Sequence, residues 1–97
     1  MVLELDPRHR DEVRRILACH VPRARAYVFG SRANGRSKRF SDLDIAIEIE
    51  DGLTIATLAA LREAFSESDL PMTVDIVDWN TLDPEFRAVI APERVPL

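Results

Sequence analysis

Residues 42–49, DLDIAIEI, alternate without a break. Leu43, Ile45, Ile47 and Ile49 fall on one side and Asp42, Asp44, Ala46 and Glu48 on the other, the period of a β-strand with one face in a core. Asp42 and Asp44 then aim two negative charges at one patch of the sheet, ~6.6 Å apart along the strand. Without a cation they repel each other and lift at least one pKa. A divalent ion removes that penalty, and Mg²⁺ suits the arrangement: it binds oxygen ligands, keeps waters and completes its shell from substrate phosphates. Glu48 lies further along the same side and reads as solvated.

The rest of the chain supplies partners for this strand. Asp6 as N-cap and Pro7 at the first helical position open a helix, with Val13, Ile16, Leu17 and His20 at helical spacing and Pro22 as its stop. ARAYVF (24–29) reads as a short buried strand ended by Gly30. SRANGRSKRFS is polar, basic and turn-rich, with room for one helical turn at its start. Thr54 caps a second helix from about Ile55 to Phe65 with Ile55, Leu58, Leu61 and Phe65 inward, and MTVDIVDW (72–79) is a third strand. Asp83 and Pro84 start a last helix with Phe86, Val89 and Ile90 inward, ended by Pro92. Helix-strand-strand-helix-strand-helix predicts an α/β (α+β) fold, a small mixed sheet with helices packed on it. The connection between the first two strands leaves both antiparallel pairing and a crossover open.

Composition sets limits. At 97 residues, 46% of them hydrophobic, the chain makes one domain with one modest core. It has no apolar run long enough to span a membrane, and its charged N-terminus lacks a signal-peptide core. A lone Cys19 excludes a disulfide framework and suits the cytoplasm; Cys19 and the two histidines lack metal-ligand spacing. Residues 1–39 carry ten basic against four acidic side chains, whereas residues 40–97 carry three against thirteen. Such a division can be no more than solvated faces, or it can serve a polyphosphate and its metal ions. The net charge of −4 speaks against direct nucleic-acid binding.

A third carboxylate is needed to raise the aspartate pair above the ordinary. In VDIVD, Asp75 sits mid-strand between Val74 and Ile76, where a charge otherwise has no place. Asp78 is an odd number of residues away and faces the other side; beside Trp79 and Asn80 it reads as a solvated turn carboxylate. On the other flank, Gly30 lets the backbone turn sharply and approach a ligand, Ser31 and the amides after it can bond phosphate oxygens, and Arg32 or Arg36 can neutralise a triphosphate. Each part alone is commonplace. The order of strand, Gly-Ser turn, basic loop and paired aspartates is not.

That order resembles the signature of the DNA polymerase β-like nucleotidyltransferase superfamily: Gly-Ser, a spacer of about ten residues, then Asp-x-Asp. Here Gly30-Ser31, the ten residues 32–41 and Asp42-Leu43-Asp44 fit it, and VDI (74–76) resembles the strand of the family's third carboxylate. Over residues 10–90 the short chain is similar to the minimal nucleotidyltransferases, the MNT family. The resemblance implies that Asp42, Asp44 and Asp75 hold Mg²⁺, two ions in the family's scheme, and that Gly30, Ser31 and Arg32 or Arg36 bind ATP. It implies a helical HEPN-domain toxin as partner, silenced by transfer of AMP onto one of its tyrosines. Two alternatives stay open: transfer to a small molecule with a partner subunit completing the acceptor site, and a non-catalytic module that caps a toxin. Phe86, Val89, Ile90 and the tail RVPL are candidates for a partner surface as well as for the core.

Overall fold

The computed structural model describes residues 3–35 and 41–97. Helix α1 (Pro7–His20) starts where Asp6 accepts a hydrogen bond from the Arg8 amide at 2.8 Å, and it buries Val13, Ile16 and Leu17. His20 stays exposed. Strand β1 (Arg25–Phe29) runs into a single helical turn, α2 (Ser31–Asn34), and strand β2 (Leu43–Glu48) returns antiparallel to β1. Antiparallel pairing thus decides the connection left open by the sequence.

Thr54 caps α3 (Ile55–Ser66) through the Thr57 amide, at 3.0 Å. The helix carries the chain across to β3 (Val74–Asp78), which lies parallel to β2. A 3₁₀ turn (Trp79–Thr81) leads to α4 (Pro84–Ile90), capped by Asp83, and the chain then adds β4 (Val95–Pro96) antiparallel to β1. The strand order is β3-β2-β1-β4, a mixed four-stranded sheet. No helix among the described residues is long and apolar enough to cross a membrane.

Strand alternation divides the apolar residues between two faces. Val28, Leu43, Ile45, Ile47 and Ile76 meet α1 and α3 through Val13, Ile16, Leu17, Leu61 and Phe65, the main core. The other face holds Phe29 and Ala46 under Trp79 and Ile90. Arg94 is clasped there between aromatic rings, its guanidinium carbon 3.9 Å from the centre of Tyr27 and 4.3 Å from that of Trp79, a contact favoured by the ring quadrupole.

Three inward expectations are corrected. Ile55 is 90% exposed, because it is the first residue of α3 and points away from the sheet. Phe86 and Val89 are 44% and 65% exposed. Helix α4 is only seven residues long and seats Ile90, leaving its other apolar residues at the rim.

Candidate active site

The site lies on the sheet face away from α1 and α3. Phe29, Asp44 and Asp75 are aligned across β1, β2 and β3, so their side chains share that face. Asp44 is half-buried, while Asp75 and Asp42 are exposed. Burial pushes the Asp44 carboxyl above its usual range, and the charges of Asp75 and then Asp42 push it further. The raised carboxyl expected from the sequence thus falls on Asp44, with burial as its first cause and the neighbouring charges as the second.

The turn after β1 closes one side of this cluster. Gly30 has φ +77° and ψ −154°, a conformation reserved for glycine, and the Ala33 and Asn34 amides bond back to its carbonyl at 3.0 and 3.1 Å. A Cβ on residue 30 would overlap Asp44 Oδ2. Glycine is thus required twice, by its backbone angles and by the carboxylate pressed against it. Ser31 follows, half-buried, at the first position of α2.

The β1 side of the site also carries an aromatic pair. Phe86 of α4 meets Phe29 edge-to-face, with ring centres 6.2 Å apart and planes at 84°. Phe29, itself buried, is the β1 partner of Asp44, and the exposed Phe86 packs on it.

Two side chains are placed differently from the solvent-facing positions expected of them. Arg32, expected to meet phosphate, is buried, and its guanidinium donates to the Ser41 carbonyl at 3.0 Å and the Glu4 carbonyl at 2.9 Å. Asp78 is not a solvated turn residue: it aligns with Ile47 on the core face, is buried, and accepts from the Leu53 and Asn80 amides, each at 3.0 Å. Its parity with Ile76, two residues back, was the available signal. Arg36 lies outside the described residues. An open groove of about 410 Å³ between α1 and the β1–β4 edge, lined by Arg14, Leu17 and Tyr27 among others, includes none of the three aspartates.

Among the described residues no group of three His, Cys, Asp or Glu side chains is arranged by itself to hold a metal ion. The donor set nonetheless fits a hard cation that takes part of its shell from a substrate: oxygen ligands only, with the Asp44 carboxyl pushed up by burial and then by two like charges.

The chain belongs to the family of polymerase beta nucleotidyltransferases, whose model matches residues 11–97. Within that enzyme class it stands with the minimal nucleotidyltransferases. It is 47% identical over 78 residues to the probable protein adenylyltransferase MntA of Haemophilus influenzae, covering 80% of this chain and 68% of that protein. A solved structure of a candidate minimal nucleotidyltransferase superposes with a TM-score of 0.73 at 33% identity, over 100% of this chain and 97% of the other. The crystal structure of a toxin–antitoxin with AMP-PNP superposes at 0.75 with 25% identity, over 89% of this chain and 69% of that one.

Proposed function

We propose that this nucleotidyltransferase moves AMP from ATP onto a hydroxyl of a partner protein, a tyrosine of a HEPN-domain toxin, and so acts as its antitoxin. The observation that carries the reading is the alignment of Asp44 with Asp75 beside a Gly30 turn that only glycine can make. A relative named as a protein adenylyltransferase and a structural neighbour solved as a toxin–antitoxin with AMP-PNP support the choice of donor and acceptor.

Asp42, Asp44 and Asp75 are the residues that would hold Mg²⁺, as one ion or two. Such ions, when bound, neutralise the triphosphate and stabilise charge on attacking and leaving oxygens. The chain's own residues do the remainder. Gly30 brings the backbone close to the phosphates, and Ser31 offers them a hydroxyl. Asp75, exposed at the edge of the row, takes the proton of the incoming hydroxyl as its oxygen attacks the α-phosphorus and pyrophosphate leaves. Phe86 and Val89 form an apolar rim on which a protein acceptor packs, which favours a macromolecular acceptor over a small solute.

The test is incubation with ATP labelled at the α-phosphate and Mg²⁺, with and without the HEPN partner. Label bound covalently to the partner upholds the reading. Protection against the toxin without any label, retained in Asp44→Ala, overturns it in favour of physical capping.

A further inference from the structure

Arg32 is tied by three hydrogen bonds to two distant parts of the chain, Glu4 and Ser41. Its own carbonyl accepts from the Glu4 amide at 2.9 Å, its guanidinium returns a bond to the Glu4 carbonyl at 2.9 Å, and a third bond reaches the Ser41 carbonyl at 3.0 Å. It sits in α2, two residues after Gly30, and Ser41 immediately precedes Asp42. A guanidinium offers its donors in a rigid plane, so two carbonyls bonded to it are held at a set separation and angle.

The sheet holds this position from the β3 side, where the Leu43 amide donates to the Thr73 carbonyl at 2.9 Å, and not from the β1 side. The β1–β2 ladder reaches Phe29 and Asp44 and goes no further, and β2 begins at Leu43. Asp44 is held in the ladder between Phe29 and Asp75, but Asp42 stands outside it. Gly30 likewise lies just past the end of β1. The turn and the first aspartate of the pair are thus both outside the β1–β2 ladder, and the buried Arg32 side chain ties the helical turn that follows Gly30 to Ser41, the residue before Asp42.

From this geometry we infer that Arg32 is a positioning residue for nucleotidyl transfer: it sets the Gly30-Ser31 turn against Asp42 and does not contact the phosphates. The inference rests on the nucleotidyl-transfer reading above. A misplacement of about 1 Å costs up to ~100-fold in rate when reacting groups must be aligned, which is the scale of the effect expected here. Charge alone does not perform this role. A lysine can reach one carbonyl, but not both in a fixed plane.

The experiment compares Arg32→Lys and Arg32→Met with the wild type. It measures kcat for transfer, the Kd for ATP with Mg²⁺, and circular dichroism at a temperature where each variant is folded. The expected result is a kcat lower by roughly 10- to 100-fold in both variants, with the Kd for ATP within about threefold of wild type. Lysine acting like arginine while methionine weakens ATP binding would show a phosphate contact and overturn the inference. So would an unchanged kcat in folded Arg32→Lys, which leaves only a structural role. Should Arg32→Met fail to fold, Arg32→Lys carries the comparison alone. A wild type that transfers nothing defeats the functional reading instead. The clamp is then judged by amide exchange at Leu43 and Asn34, where faster exchange in Arg32→Lys supports it and unchanged exchange overturns it.

Discussion

Asp44 stands opposite Asp75 across the parallel β2–β3 pair, and its Oδ2 occupies the space that a side chain on residue 30 would need. One carboxylate is therefore pressed by a like charge on one side and by a glycine backbone on the other. The fold tolerates this because the main core lies on the opposite face, through Leu43, Ile45 and Ile47.

Removing the charge at residue 44 should stabilise the metal-free protein. Burial first, then Asp75 and Asp42, hold this carboxyl above its ordinary range. A group whose pKa is raised by folding contributes fully below its unfolded value of ~3.9, and that contribution is lost as pH rises through the folded value. With chelator at pH 7, Asp44→Asn should raise the thermal midpoint, and the gain should vanish below pH ~3.9. Transfer with Mg²⁺ should fall at least ~100-fold in the same variant.

Gly30→Ala should fail for two separable reasons. The φ of +77° and ψ of −154° cost a side-chain-bearing residue about 1–3 kcal/mol, and the new Cβ displaces Asp44 Oδ2. Urea unfolding should show the first loss and the transfer assay the second, with activity reduced even where the protein is folded.

Asp78→Ala should destabilise by about 1–3 kcal/mol, because two amides, Leu53 and Asn80, lose their acceptor. Asp78→Asn keeps an acceptor oxygen and should cost less. Denaturant midpoints of the two variants check this directly.

Val89→Glu should leave stability within about 0.5 kcal/mol, since the side chain is 65% exposed. It should weaken transfer to a protein acceptor while leaving ATP affinity unchanged, measured by titration calorimetry and labelling in parallel.

The sequence made the strands and helix starts legible where alternation or caps were explicit. DLDIAIEI, Asp6-Pro7, Thr54 and Asp83-Pro84 all lead to the elements observed. Val95–Pro96 escaped notice because two residues carry no period. Asp42, Asp44 and Asp75 could be singled out because charge in an apolar strand is conspicuous. Arg32 could not be assigned from sequence: a basic residue beside a Gly-Ser turn looks the same whether its guanidinium faces solvent or two carbonyls. Ile55, Phe86 and Val89 fit an inward helical spacing, yet at helix ends spacing does not determine which side is covered.

The most direct test of the carboxylate site is the transfer rate of Asp75→Asn beside that of Asp78→Asn, with ATP labelled at the α-phosphate. The two residues are three apart on one strand and face opposite sides. The account predicts a loss of at least ~100-fold for Asp75→Asn and near wild-type transfer for folded Asp78→Asn. Full activity in Asp75→Asn, or equal losses in both, would contradict it.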